Sequence, residues 1–297
     1  MCALRDRTFE RRREKILKQK YEKLEQILKD CGSVAVAYSG GVDSALLLYA
    51  ARSVLGERAC AVTAKAEAVP EDEIREAVEY CRENGITHAV VEVSQMDIPG
   101  FAENTEERCY YCKKRIFGKL AQAAAAMQCS VVAEGTNADD VQDFRPGMRA
   151  VRELGVISPL KEAGLTKADI RSLSREFGLK ASSRPSSACL ATRIPYGDRI
   201  TVEKINMAGR SEEYLRELGF EQVRVRVHGS LARIEVTAEN ISRFADPSLR
   251  ERICRRLKEY GFSYVSLDLT GYRTGSMNEV LDKSLMKELM KTDKSNN

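Results

Sequence analysis

Apolar residues follow two rhythms along this chain. Short, nearly unbroken apolar runs at 34–37, 59–63, 88–93 and 130–134 read as buried strands. Between them lie helical stretches. Residues 9–29 carry Ile16, Leu17, Tyr21, Leu24, Ile27 and Leu28 at helical spacing, with charge on the opposite face. Residues 45–51 form a breaker-free apolar run, 70–84 open on Pro70 with Glu71, Asp72 and Glu73 in the first turn, and 113–127 continue the pattern. Strand and helix alternate, which predicts an α/β fold with a doubly wound parallel sheet, the kind that binds ligands beyond the carboxyl ends of its strands. Thr166-Lys167-Ala168-Asp169 has the form of a capping box and predicts a helix to Phe177.

Residues 178–200 break the rhythm with small, polar and Pro-containing sequence, and the domain boundary is placed here: 1–180 and 181–297. The second part reads helix (202–218), strand (222–227), tight turn (His228-Gly229-Ser230), strand (231–237), helix (247–260), strand (264–267), a smaller α+β domain with a hairpin. Along the hairpin Val223, Val225 and Val227 point toward a core. Arg224, Arg226 and His228 alternate with them, and Arg233 and Glu235 share that polar face from the partner strand. Such a face is either solvated or a guanidinium clamp for phosphate.

Between the first strand and its helix stands Ser39-Gly40-Gly41-Val42-Asp43-Ser44. The two glycines permit a tight turn and close approach of a ligand. Small side chains leave the N–H groups of the helix start uncovered, where the helix dipole favours phosphate. No Gly-x-x-x-x-Gly-Lys is present, so this is a different nucleotide loop from the lysine-bearing one. A second loop, Gly135-Thr136-Asn137-Ala138-Asp139-Asp140, follows the fourth strand and falls at the same edge of the sheet. Asp139 and Asp140 either help to hold Mg2+ or form an Asx turn. Arg145, just beyond, is a candidate to reach an anion.

The 297 residues carry a net charge of only +4, which gives little support for a dedicated nucleic-acid binder. The basic run Arg11-Arg12-Arg13 reads as a solvated helix face. No apolar run approaches a membrane span, and the charged N-terminus does not resemble a signal peptide, so a cytoplasmic protein is expected. Nine cysteines in such a chain argue against a disulfide framework. Cys109 and Cys112 form a Cys-x-x-Cys at a helix start, where the dipole and Arg108, Lys113 and Lys114 are expected to lower their pKa values. Cys189 lies in the small-residue loop. The three are inert, or a redox dithiol with a spare, or three thiolates around a metal group with one open position. Zinc would want a fourth ligand, and the chain has only His88 and His228. The remaining cysteines read as packing residues.

Ser39 to Ser44 resembles the pyrophosphate loop of the N-type ATP pyrophosphatases, the PP-loop proteins with an adenine nucleotide alpha hydrolase-like fold. With it, 107–113 (Glu-Arg-Cys-Tyr-Tyr-Cys-Lys), 134–137 (Glu-Gly-Thr-Asn), 185–193 (Pro-Ser-Ser-Ala-Cys-Leu-Ala-Thr-Arg) and 271–278 (Gly-Tyr-Arg-Thr-Gly-Ser-Met-Asn) resemble the LarE family across nearly the whole chain. The resemblance implies an ATP-dependent sulfur transferase of nickel-pincer nucleotide synthesis. Such an enzyme adenylates a carboxylate of pyridinium-3,5-dicarboxylate mononucleotide and turns it into a thiocarboxylate. ATP with Mg2+ would be held by Ser39, Gly40, Gly41, Asp43, Ser44, Gly135 and Asp139, and the mononucleotide phosphate by Arg224 and Arg226, ordered by Glu235. One branch sacrifices a single cysteine, matched by Cys189. Another holds a 4Fe-4S cluster on three, and Cys109, Cys112 and Cys189 place this chain with that branch. A homo-oligomer and a separate sulfur source are implied too. Rival readings are an amide-forming, NAD synthetase-like ligase, a tRNA-thiolating enzyme, and a non-catalytic nucleotide sensor.

Overall fold

The computed structural model describes residues 2–142, 146–183, 188–273 and 277. The Arg145 expectation and parts of the 185–193 and 271–278 motifs lie outside the described residues. The chain forms two compact units: 1–65, 71–93 and 113–184 make the first, and 66–70, 94–112 and 185–297 the second. The second unit takes in two excursions from the first half of the sequence, so no single cut in the chain separates them.

In chain order the elements are α1 (Cys2–Asp30), β1 (Val34–Ala37), α2 (Val42–Leu55), β2 (Ala59–Lys65), α3 (Glu71–Glu83), β3 (His88–Glu92), α4 (Arg108–Ala126), β4 (Val131–Ala133), α5 (Gly147–Glu153), α6 (Pro159–Glu162), α7 (Lys167–Glu176), α8 (Val202–Glu217), β5 (Val223–His228), β6 (Leu231–Val236), α9 (Ala238–Ile241), α10 (Pro247–Glu259) and β7 (Tyr264–Leu267).

The first unit is built on a parallel sheet in the order β3-β2-β1-β4, as the alternation predicts. Val34, Ala35 and Val36 of β1 are fully buried between β2 and β4. Leu46, Leu47 and Leu48 of α2 are buried all round. Each such leucine contributes about 1.5–3 kcal/mol relative to exposure, which fixes the helix against the sheet and with it the loop at its start. The capping box is present in full: Thr166 accepts from the Asp169 N–H at 3.2 Å, and Asp169 accepts from the Thr166 N–H at 3.1 Å. Arg12 and Arg13 are exposed, as a solvated face requires.

The second unit carries a three-stranded sheet, β5-β6-β7, antiparallel across the hairpin and parallel between β6 and β7. Here the alternation misleads. Arg224 and Arg226 are buried along with the valines between them, because β5 is covered on both faces, whereas Arg233 on β6 is only half-buried. The solvated reading of the arginine face is therefore wrong. Among the described residues no helix is long and apolar enough to cross a membrane.

Candidate active site

In the first unit β1 delivers Ser39 to the turn and α2 begins at Val42, with Gly40 at φ +75 and Gly41 uncapped by any side chain. The Ser44 hydroxyl ties the loop to itself. It donates to the Gly41 carbonyl at 3.0 Å, accepts the Ser39 N–H at 3.3 Å and meets the Ser39 hydroxyl at 3.2 Å. Gly135 lies against this loop: a Cβ there would stand 3.1 Å from the Ser44 nitrogen and 3.2 Å from Asp43 Cβ. Only glycine lets the loop after β4 approach so closely, and Asn137 from that loop donates to Asp43 Oδ1 at 3.4 Å. The N–H groups at the head of α2 face a place where an anion is stabilised by charge and hydrogen bonding together.

Lys167, whose place in the capping-box sequence predicts only a helix start, pairs with Asp43 through Nζ and Oδ2. It brings a cation to the edge of the loop. Asp139 accepts the Lys167 N–H at 2.8 Å and donates its own N–H to Asn137 at 2.9 Å, while Asp140 accepts the Asn137 N–H at 3.0 Å. The Asn137–Asp139 bond is an Asx turn, the Asn137–Asp140 bond closes the loop on itself, and the Asp139–Lys167 bond ties it to the start of α7. Beneath it, Glu134 accepts from Thr136 at 2.8 Å and Ser158 at 2.5 Å, so this buried acid is satisfied within the unit. A cavity of about 220 Å³ borders the nucleotide loop between Tyr38, Gly40, Tyr80 and Leu179.

In the second unit the first turn of α4 presents Cys109, half-buried, and Cys112, buried, while Cys189 is exposed ahead of a 3-10 turn at Leu190–Arg193. Gly209 of α8 leaves the space that Leu190 fills, since a Cβ there would meet Leu190 Cδ1 at 3.0 Å. The expectation of lowered thiol pKa values is reversed at Cys112. Burial pushes it up to about 12 and the nearby Cys189 sulfur adds to the rise, against which Arg108 and a hydrogen bond from Gln95 pull too weakly. The Cys189 side chain is exposed, yet the protein beneath it displaces enough water to raise its thiol too, with Arg108 opposing. Cys112 thus feels both other sulfurs of the set, and Cys189 feels that of Cys109. Among the described residues no three His, Cys, Asp or Glu side chains are grouped to share one ion. The ligands of an iron–sulfur cluster need not share one, because each holds a different iron.

Beside the thiols stand charges that the sequence analysis did not connect. Arg108 is 2% exposed, and its partners among the described residues are Asn104 Oδ1 at 2.5 Å, the Ala191 carbonyl at 3.2 Å, Cys109 Sγ at 3.6 Å and the Tyr196 ring, none of them a carboxylate. Arg193 forks onto the fully buried Glu212 at 2.6 and 2.9 Å, and its Nη1 reaches the Ala188 and Cys189 carbonyls at 3.0 and 3.3 Å. Glu212 also accepts the Val225 N–H at 3.0 Å and lies 4.0 Å from Arg224. Burial alone would raise its pKa, but these cations outweigh it and hold it low. Arg226 forks onto Glu235 at 3.0 and 2.9 Å and donates to the Thr192 carbonyl at 2.8 Å. Glu235 thus holds Arg226, and Arg233 joins it at 3.0 Å. The buried charges of this unit among the described residues are Arg108, Arg193, Arg224 and Arg226 against Glu212 and Glu235. Glu212 was findable: it occupies a position on the stripe of Ile205, Ala208 and Leu215 where an apolar residue belongs.

The family model for asparagine synthase matches residues 24–148, the stretch from α1 through both loops. An uncharacterized protein of Synechocystis sp. is 42% identical over 269 residues, 90% of this chain and 100% of that protein. The pyridinium-3,5-bisthiocarboxylic acid mononucleotide synthase of Lactiplantibacillus plantarum is 38% identical over 258 residues, 86% of this chain and 93% of its own length. An uncharacterized protein of Methanocaldococcus jannaschii is 31% identical over 241 residues, 81% of this chain and 91% of that protein. The likeness to the synthase runs through both units and most of both chains, and the protein described here belongs to the LarE family of PP-loop proteins.

Proposed function

We propose that this protein is an ATP-dependent sulfur transferase acting on a pyridinium dicarboxylate mononucleotide. ATP binds with its phosphates in the loop of Ser39, Gly40, Gly41 and Ser44, at the N-terminal end of α2. Asp43, Gly135 and Asp139 shape the site, Mg2+ offsets the phosphate charge, and Lys167 adds a cation. A substrate carboxylate oxygen attacks the α-phosphorus and pyrophosphate leaves, giving an acyl adenylate. The loop acts by positioning and by charge stabilisation. A sulfur nucleophile then attacks the acyl carbon, and AMP departs with the original oxygen, leaving a thiocarboxylate.

The observation that supports the second half is guanidinium gathered beside the thiols: among the described residues of the second unit, Arg108, Arg193, Arg224 and Arg226 are buried with Glu212 and Glu235. Arg108 stays buried against Cys109 with no carboxylate among its described partners, and a buried guanidinium suits an anionic neighbour. Arg224 has its pKa lowered by burial and then by Arg193, as expected of a cation crowded by cations. Arg224 and Arg226 take the mononucleotide phosphate, with Glu235 ordering Arg226. Arg108 faces the sulfurs. Cys109, Cys112 and Cys189 hold a 4Fe-4S cluster, which supplies the sulfur nucleophile when bound. Thiols as hard to ionise as Cys112 become ligands because metal binding drives the proton off. The same reading makes the protein a cytoplasmic homo-oligomer that draws sulfur from a separate donor and needs no nucleic acid.

Iron analysis of anaerobically purified protein tests this. Wild type should carry close to four irons per chain, and Cys109→Ser, Cys112→Ser and Cys189→Ser should each lose most of it. Iron-free wild type that still makes thiocarboxylate would return the chain to single-cysteine chemistry.

A further inference from the structure

Two side chains outside the thiol set link the Cys-x-x-Cys turn to the segment of Cys189, Arg108 directly and Gln95 through the backbone of Ala68. Gln95 is 1% exposed. Its Nε2 donates to Cys112 Sγ at 3.2 Å, and its Oε1 accepts the Ala68 N–H at 2.8 Å. The Ala68 carbonyl accepts the N–H of Leu190, the residue after Cys189, at 2.9 Å. Gln95 is held in turn by its own N–H, which donates to Glu67 Oε2 at 2.7 Å. Arg108 makes the parallel connection. Its Nη2 reaches Cys109 Sγ at 3.6 Å, and its Nη1 donates to the carbonyl of Ala191, two residues after Cys189. Asn104 braces it at Oδ1 and also donates to the Ile194, Pro195 and Asp198 carbonyls at 3.2, 2.6 and 3.0 Å.

We infer that Gln95 and Arg108 are positioning residues that clamp the Cys-x-x-Cys turn to the Cys189 segment, fixing the three sulfurs before any metal arrives and giving N–H donors to two of them. Two bridges end on successive residues, 190 and 191, so the segment after Cys189 is held at two points and can neither swing nor rotate away. Such outer contacts typically control metal retention, and hydrogen bonds to cluster sulfurs help set reduction potential. This assignment rests on the cluster reading for the potential but not for the clamp itself.

The test uses the full chain with Gln95→Leu, Gln95→Glu and Arg108→Lys, each checked for a wild-type circular dichroism spectrum. In the metal-free protein Gln95→Leu should speed amide exchange at Leu190 by about tenfold, the factor expected for losing one buried hydrogen bond. Gln95→Glu keeps the acceptor for Ala68 and should leave that exchange near wild type. After anaerobic reconstitution with ferrous iron and sulfide, Gln95→Leu and Arg108→Lys should lose iron to a chelator about 10- to 100-fold faster. Both Gln95 variants, lacking the donor to Cys112, should show a lower reduction potential than wild type. Wild-type exchange at Leu190 in Gln95→Leu would overturn the clamp. Unchanged potential in both Gln95 variants would overturn the tuning role. If wild type takes up no iron, the cluster reading falls while Leu190 exchange still decides the clamp. Should Arg108→Lys fail to fold, the Gln95 pair carries the decision alone.

Discussion

Gly135→Ala is the smallest change that probes how the two loops of the nucleotide site meet. The added methyl would stand 3.1 Å from the Ser44 nitrogen, 3.2 Å from Asp43 Cβ and 3.4 Å from the Asp43 carbonyl carbon. All three neighbours are backbone or sit directly on it, so no flexible side-chain end can swing aside. Relief requires the loops to part by a few tenths of an ångström, and overpacking of this kind costs about 1–3 kcal/mol. At roughly 2–4 °C per kcal/mol in a domain of this size, the melting temperature should fall by several degrees. The larger effect should be on chemistry, since the atoms displaced are those that cradle phosphate. With a misplacement of 1 Å worth about a hundredfold, a shift of a few tenths of an ångström should lower kcat/KM for pyrophosphate release by roughly four- to tenfold. Gly118→Ala is the control: a Cβ there meets nothing within 4 Å inside α4, and alanine should stabilise that helix by about 0.5–1 kcal/mol without touching activity. Pyrophosphate release by Gly135→Ala at the rate of Gly118→Ala would refute the claim that this close approach builds the site.

Lys167→Met should raise the KM for ATP about tenfold with little loss of stability, because the Lys167–Asp43 pair is part-exposed and its cation faces the loop; an unchanged KM would make the pair structural. Asp169, whose pKa stays low because Lys20 and the Thr166 N–H outweigh its burial, contributes stability above its unfolded pKa that is lost as pH falls through the lower folded value. Urea titrations of Asp169→Asn should therefore be flatter than wild type below about pH 4. Cys60 and Cys129 hold their sulfurs 2.6 Å apart across 69 residues of sequence. Oxidation by a small disulfide should join them, with a 60–129 peptide in the mass spectrum and a gain of about 4 kcal/mol if chain entropy dominates; failure to cross-link would show that they only pack.

The parallel sheet and its two loops were legible in the sequence because apolar runs, glycines and caps are local signals. What escaped were facts set by long-range placement. The Val-Arg-Val-Arg-Val alternation promised one dry and one wet face, yet Arg224 and Arg226 are buried because β5 is covered on both faces. Lys167 looked like a capping-box position, which it is, and nothing local announced that its ammonium would meet Asp43. Gln95 carries no motif at all; its role appears only when Cys112 and Ala68 are brought to it by the fold. The basic neighbours of Cys112 were read correctly as residues, but burial, which no short window encodes, decides the direction of its pKa.

The proposed reaction passes sulfur from a cluster on Cys109, Cys112 and Cys189 to an adenylated carboxylate. Its most direct measurement supplies anaerobically reconstituted protein with ATP, Mg2+, pyridinium-3,5-dicarboxylate mononucleotide and excess sulfide, and follows product and protein together by mass spectrometry. The account predicts several thiocarboxylates per chain, one pyrophosphate for each, and a Cys189 peptide of unchanged mass. Product that stops at one sulfur per chain while Cys189 loses the elements of hydrogen sulfide, leaving dehydroalanine, would contradict it.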